Sequence, residues 1–494
     1  MDLIKALKTY TQFESFKPGQ REVISSILQG NDTVAVLPTG TGKSLCYQLP
    51  GYLLPGKVLI VTPLLSLMQD QVEQMAMRGE KGAVAINSFL SPVEKKKVFN
   101  HLDQYKYIFI SPEMLNMDFI LSRLIRLPIS LFVIDEAHCI SQWGYDFRPD
   151  YMKLGEVKEK LHSPLTLALT ATATKKVVRD ITQSLRLEQW NEFISSVDRP
   201  NIAMKVEKVQ DFQGKKNRTV QLVTSLKGPG IIYFSSKRLA EEMAVHLKEN
   251  GVHKVSAYHG GMSQEDRILI QQQFINGQLD LVCATSAFGM GINKENVRYV
   301  IHFHLPLQLE SYLQEIGRAG RDGKPSIAIL LYSERDEELS LGLIEGELPN
   351  SGQIDWLYHE IQTNKQLFDT LANNASEIYS YIGASEIQWR IMNDFLIRLS
   401  QNPSDYERDF EDFKIFIQKR IEAKKRNVYE LVRWLHSDLC RREYILSNFD
   451  EQLKTKIDPC CDRCGIELHS FQMEDKSSEA VTPFNWKSYL KELF

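Results

Sequence analysis

Long apolar runs are missing from this sequence, cysteine is scarce, and neither sign of charge prevails. No stretch reaches the roughly 18 consecutive apolar residues that a membrane-spanning helix needs. Residues 1–10 lack the basic-then-apolar order of a secretory signal. Both observations point away from a membrane and towards the cytoplasm. There are 7 cysteines in 494 residues, and their placement says more than their number. Cys46, Cys139 and Cys283 stand alone, whereas Cys440, Cys460, Cys461 and Cys464 cluster. That pattern fits a reducing compartment with one metal site, not a disulfide framework. Lys and Arg number 59 against 63 Asp and Glu, a net charge of −4, so the total carries no polyanion-binding footprint. Hydrophobic residues at 43% and charged residues at 25% exclude a mostly disordered chain. At about 150 residues per domain, the length suggests about three domains.

Totals hide local patches. Residues 413–445 hold nine Lys/Arg against four Asp/Glu, and residues 333–360 hold eight acids against one Arg. As bare charge runs, both read as solvated helix faces. The first 330 or so residues alternate short β-rich apolar runs with amphipathic stretches, such as 19–28 and 67–77. Runs at 33–37, 57–61, 107–110, 131–134 and 165–169 predict one strand set. Runs at 231–234, 254–258, 281–284, 297–301 and 326–331 predict a second. Strands alternating with helices imply parallel sheets covered on both faces. The polar stretch 207–218 is the best linker candidate between the sets. Beyond residue 332 the pattern turns helical until the cysteine cluster.

The run at 33–37 leads into Pro38-Thr39-Gly40-Thr41-Gly42-Lys43-Ser44, followed by a helical stretch. Glycines let a loop turn its N–H groups around phosphate oxygens at a helix N-terminus. Lys43 would reach the β- and γ-phosphates, and the Ser44 hydroxyl would ligate Mg²⁺. Leu37 stands where the strict motif has its first glycine. The run at 131–134 ends in Asp135-Glu136-Ala137-His138, 92 residues after Lys43. A carboxylate at a strand tip can hold Mg²⁺, and its neighbour can polarise an attacking water. Further on, Arg318 and Arg321 stand three apart on a predicted helix and share one face. Such a pair suits a triphosphate bound on the other lobe. Together these residues predict an ATP-hydrolysing site.

The segments FKPGQ (16–20), LPTGTGKSLCYQLP (37–50), DEAH (135–138), ALTATAT (168–174), AFGMGI (287–292) and QEIGRAGRDG (314–323) resemble superfamily 2 helicases. AHCISQWGYDFRPDY (137–151), SVDRPNI (196–202) and YHGGMSQEDR (258–267) look more narrowly like the RecQ family of DNA helicases. The resemblance implies an α/β fold of two tandem recombinase-like, doubly wound parallel-sheet lobes and a helical, zinc-binding C-terminal region. It implies domains at 1–206 (lobe 1, ATP-binding), 207–335 (lobe 2), 336–420 (a helical connector or insertion), 421–468 (zinc-binding) and 469–494 (a short tail). His138 and Gln314 join the catalytic set by motif position. Gln20 would read the adenine edge, with Phe13 and Lys17 sandwiching the ring; arginine is usual at position 17. Thr170 and Thr172 would link hydrolysis to the lobe interface. Trp143, Phe147 and Arg148 look like the loop that senses single-stranded DNA, and aromatic faces and arginine suit that task. The implied activity is ATP-dependent 3′-to-5′ DNA unwinding in repair and recombination. Implied partners are single-stranded, branched or tailed duplex DNA and a single-strand-binding protein, in a nucleoid-associated setting.

Four thiolates at Cys440, Cys460, Cys461 and Cys464 fit a closed structural Zn²⁺. Replacement of one cysteine by Asp458, or simple buried thiols, are the alternatives. A zinc site would make the basic 413–445 stretch a DNA-facing platform. Two other functions remain open on the sequence. One is an RNA helicase, which shares the nucleotide motifs. The other is a DNA-binding module whose ATPase only switches its grip, since the stretch after Cys464 is shorter than the winged helix of larger relatives.

Overall fold

The computed structural model describes residues 2–63, 65–87, 90–141, 148–289, 294–363, 382–401 and 405–472. Seven strands, β1 (Asp32–Val36), β2 (Lys57–Val61), β3 (Ala83–Ile86), β4 (Tyr107–Ile110), β5 (Ile129–Ile134), β6 (Leu165–Thr170) and β7 (Trp190–Ile194), form the first sheet. Its order is β3-β4-β2-β5-β6-β1-β7, with every pairing parallel. The second sheet contains β8 (Ile202–Lys208), β9 (Gly230–Tyr233), β10 (Val255–Tyr258), β11 (Leu281–Ala284), β12 (Tyr299–His302) and β13 (Ser326–Tyr332). Its order is β10-β11-β9-β12-β13-β8, again parallel throughout. Continuous apolar runs such as VLIV in β2 and LFVI in β5 are what a strand covered on both faces requires. Each sheet accordingly separates two apolar clusters, one per face. The two doubly wound lobes are as expected.

The lobe boundary differs from the sequence reading. β8 lies wholly in the second sheet, and residues 212–225 form a helix capped by Asp211, which accepts from the Gly214 N–H at 2.7 Å. The stretch 207–218 is polar because it spans the end of β8 and the solvent-facing first turns of that helix, where Phe212, Gln213 and Asn217 are exposed, not because it is a linker. The chain crosses between the lobes at residues 195–201.

The C-terminal divisions also shift. One 31-residue helix, Tyr406–His436, runs straight through the expected boundary at 420. Its first half packs Phe410, Phe413 and Ile417 into a small core with Leu357, Trp389 and Met392. Its second half packs Val428, Leu431, Trp434 and Leu435 into the core of the second lobe. Cys460 and Cys461 belong to that same core, so the cysteine-bearing region is not a separate unit. Phe471 lies in the core on the sheet's other face, and the Lys227 N–H donates to its carbonyl at 2.9 Å. The second lobe therefore extends past residue 469.

The acidic and basic stretches turn out to face each other. Lys424 and Lys425 pair with Glu347 and Glu345, both at 2.6 Å, and Lys414 pairs with Asp355 at 2.5 Å. Arg433, Arg441 and Arg442 are held by Glu430, Asp462 and Asp198. Six of the nine cations of 413–445 are thus neutralised within the protein, which removes the basis for a free cationic platform there. No helix among the described residues is long and apolar enough to cross a membrane.

Candidate active site and cysteine centre

The central strands β5, β6 and β1 end side by side, and their C-terminal ends carry the site, as crevices at strand ends do in such sheets. After β1 the chain turns through Gly40 and Gly42 at φ +89° and +72°, a region that only glycine enters without strain. The Thr41 hydroxyl donates to the Pro38 carbonyl at 2.8 Å and tightens the loop, which feeds the helix Leu45–Leu53. Lys43 Nζ sits 3.5 Å from the Leu37 carbonyl.

Gln20 and Lys17 reach this loop and Phe13 lines the same cleft, but not in the arrangement expected. The buried Gln20 amide donates to the carbonyls of Thr41 (2.7 Å) and Gly42 (3.0 Å) and accepts from the Lys17 N–H at 2.8 Å. These contacts make it a brace for the phosphate loop, with both ends engaged by protein. Lys17 Nζ donates to the Gly40 carbonyl at 2.9 Å. The cation over the Phe13 ring is instead Arg78, 5.6 Å from its centroid. Arg78 also lines the cleft, and nothing in the local sequence marks it.

Asp135 and Glu136 follow β5. Burial pushes the Asp135 carboxyl up to about 7; the charge of Glu136 adds to this and that of Lys43 opposes it. Glu136 adopts φ +49° and is buried, and its Oε2 accepts no hydrogen bond although His138 Nδ1 lies 3.4 Å away. Two desolvated carboxylates against one lysine form an electrostatically deficient site that a divalent cation would balance. Mg²⁺ therefore fits, with Asp135 and Ser44 as the residues that would hold it. Tyr151, fully buried, donates to the Asp135 carbonyl at 3.0 Å and fixes the strand tip. His138 Nδ1 meets the Thr170 hydroxyl at 2.8 Å, and Thr170 donates onward to the Thr172 carbonyl at 3.1 Å. The Thr172 hydroxyl is buried without a partner.

Across the cleft, the second lobe presents Gln314, Arg318 and Arg321. A methyl group on Gly40 would stand 2.9 Å from Arg321 Cγ, so the arginine lies against the phosphate loop. Burial lowers the Arg321 guanidinium to about 9, and the nearby charges of Arg318 and Arg199 push the same way. Cations crowded this closely await a polyanion. Gln314, Arg318 and Arg321 line one cleft of about 390 Å³ with Lys43, Asp135 and Glu136, together with Tyr47, Gln71, Gln74 and Glu295, which the sequence reading missed.

Of the expected DNA-sensing residues, Trp143 and Phe147 lie outside the described residues. Arg148 donates to the Pro63 carbonyl at 3.0 Å, and its own N–H donates to the Cys139 carbonyl at 3.0 Å. It thus links the segment after His138 to the loop after β2.

The sulfurs of Cys440, Cys460, Cys461 and Cys464 lie within 4.8 Å of one another. The closest pairs stand 3.5–3.8 Å apart, against the edge of about 3.8 Å that a tetrahedron of ~2.3 Å Zn–S bonds requires. Asp458 is not in the group. A hydrogen bond from the Cys460 thiol, with help from the Arg441 N–H, holds Cys461 well below the ordinary thiol range. Zinc, which binds thiolate, fits this donor set. The Met204 N–H donates to the Cys460 carbonyl at 3.0 Å, stitching the centre to β8.

Comparison with known proteins agrees with this geometry. A family model described as DEAD/DEAH box helicase matches residues 17–181, and one described as helicase conserved C-terminal domain matches residues 214–323. A Bacillus subtilis protein named probable ATP-dependent DNA helicase RecS is 44% identical over all of this chain and 98% of its own length. The Haemophilus influenzae ATP-dependent DNA helicase RecQ is 42% identical over 77% of this chain, which spans 61% of that protein. Among solved structures, the DEAD-box helicase Mss116 bound to single-stranded RNA superposes with a TM-score of 0.58 at 20% identity, over 78% of this chain and 86% of that one. At that identity the likeness concerns the fold alone. The aligned relatives, the two lobes and the nucleotide cleft lead to one assignment: the chain belongs to the RecQ family of superfamily 2 helicases.

Proposed function

We propose that this protein is an ATP-driven DNA helicase that moves 3′-to-5′ along single-stranded DNA and separates duplex ahead of it. One observation carries the reading: the phosphate loop and carboxylates of one lobe face Arg318 and Arg321 of the other across a single cleft. Lys43 and the loop N–H groups bind the β- and γ-phosphates. Asp135 and Ser44 would hold Mg²⁺, which when bound would supply charge neutralisation at the phosphates. Glu136 orients the attacking water, and its buried, unpartnered oxygen suits it to accept that water's proton. Arg318 and Arg321 stabilise charge that develops during phosphoryl transfer, so hydrolysis is fastest when the lobes are closed. Gln314 completes that wall. His138, beside Glu136, is hydrogen-bonded to Thr170 at the end of β6, and Thr170 in turn to the Thr172 carbonyl. Trp143, Phe147 and Arg148 report bound single strand to these residues. Phe13 stacks on the adenine, and Lys17 and Gln20 shape the loop beneath it. The four cysteines hold a structural Zn²⁺.

Single-stranded and tailed or branched duplex DNA are the substrates, with a single-strand-binding protein as partner in the cytoplasmic nucleoid. Strand displacement on duplexes tailed at either end, with and without ATP, tests the proposal. ATP-dependent release from the 3′-tailed DNA duplex alone is expected. Equal release from RNA, or none from either DNA, would overturn it.

A further inference from the structure

Arg199 belongs to the segment in which the chain crosses between the lobes, yet it does not line the nucleotide cleft. Its guanidinium reaches both lobes. Nη1 donates to the carbonyls of Thr39 (3.0 Å) and Gly317 (3.1 Å). Nη2 donates to those of Ala319 (3.2 Å) and Gly320 (2.8 Å). Thr39 opens the phosphate loop, and the other three flank Arg318 and precede Arg321. One planar group therefore measures the gap between the loop that holds phosphate and the segment that bears the arginines. All four acceptors are main-chain oxygens, so these contacts fix backbone positions.

The adjacent carboxylate does not compete for this group. Asp198 is taken by the buried Arg442, which also donates to the carbonyls of Arg199 (3.1 Å) and Ile202 (2.7 Å). The crossing segment is thus pinned from behind by a residue next to the cysteine centre, while the Arg199 fork points forward. Asn201 adds a second tie, donating to the carbonyls of Gly320 (2.8 Å) and Lys324 (2.9 Å).

We propose that Arg199 is a positioning residue that sets the closed register of the two lobes, placing Arg318 and Arg321 for hydrolysis without itself touching the nucleotide. The inference rests on the nucleotide-site reading above. An arginine suits the task because its donors are fixed in one plane; a lysine offers donors from a single point and cannot bridge all four carbonyls.

The test uses the full chain with Arg199→Ala and Arg199→Lys, and Lys43→Ala as a separate control. Titration of a fluorescent ATP analogue should give affinities within about threefold of the parent, while DNA-stimulated kcat should fall about 10- to 100-fold, the cost of a misplacement near 1 Å. Arg199→Lys should fall in between, with KM unchanged. A kcat within about twofold of the parent for Arg199→Ala would overturn the proposal. So would a loss of nucleotide affinity that matches the loss of kcat in a variant with an unchanged melting temperature. Should the alanine variant not fold, the lysine variant decides alone: parental kcat sinks the idea, and reduced kcat at unchanged affinity supports it. Retained hydrolysis in Lys43→Ala would instead refute the nucleotide site, whatever Arg199 does.

Discussion

Arg321 of the second lobe lies so close to Gly40 of the first that a single methyl group on the glycine would come within 2.9 Å of the arginine's Cγ. The glycine also has φ +89°, so two constraints meet at one position. Gly40→Ala should cost about 1–2 kcal/mol of local backbone strain and push Arg321 off the loop. The expected result is a fall of about 100-fold in ATPase kcat, in line with displacement of a positioned group by ~1 Å. Steady-state kinetics with saturating DNA checks it, and activity near the parental level would show that Arg321 need not sit against this loop.

The base site should depend on Phe13 and Arg78 more than on the Lys17 ammonium. Stacking of a base on an aromatic ring contributes about 1–3 kcal/mol, so Phe13→Ala should weaken ATP binding by roughly 5- to 150-fold. Removing Arg78 costs less, about 0.5–1 kcal/mol for an exposed cation over a ring, or a two- to fivefold rise in Kd. Lys17→Arg combined with Arg78→Ala should restore affinity if the two cations share one task. Isothermal titration with a non-hydrolysable analogue distinguishes these outcomes.

Lys43→Ala and Asp135→Ala should each abolish measurable hydrolysis, since one preorganised contact to developing charge is worth about 10²–10³ in rate. The two should differ in binding. Lys43→Ala weakens nucleotide affinity with or without Mg²⁺, whereas Asp135→Ala should remove the dependence of binding on Mg²⁺ concentration. Normal DNA-stimulated ATPase in either variant would place the chemistry elsewhere.

Elemental analysis should find about one zinc per chain, and Cys464→Ser should lower that content. Structural zinc contributes on the order of 10 kcal/mol in isolated fingers. Because Cys460 and Cys461 share a core with the second lobe, the loss should not stop at residues 441–464. Calorimetry should show the second-lobe transition moving down in temperature while that of the first lobe holds. Two unchanged transitions would mean that the cysteines are only buried thiols.

Much of this architecture is readable from short-range patterns. Apolar β-rich runs such as 57–61 and 107–110 coincide with strands β2 and β4 to the residue, because a buried parallel strand needs nothing but local hydrophobicity. β3, β7 and β8 escape that reading. β3 is four residues long, β7 is largely exposed, and the apolar run of β8 breaks at Lys205 after three residues. The phosphate loop and the Asp135–Glu136 pair are likewise local. Arg78 and Arg199 are not. Each acquires its meaning from a neighbour far along the chain, Phe13 for one and Thr39 for the other. The charge runs mislead for the same reason: Lys424 and Lys425 look free in sequence and are paired with acids 77 and 80 residues away.

The long helix Tyr406–His436 gives the second lobe a lever. At 1.5 Å per residue its 31 residues span about 46 Å. Its C-terminal half is embedded in that lobe and its N-terminal half in the small helical core beyond. That core approaches the first lobe, where burial and then the charge of Asp150 raise the Asp394 carboxyl. A rotation of the second lobe by only ~10° would sweep the far end of such a rod through roughly 8 Å. A modest closing motion of the lobes is thereby magnified into a large displacement beside Asp150 of the first lobe.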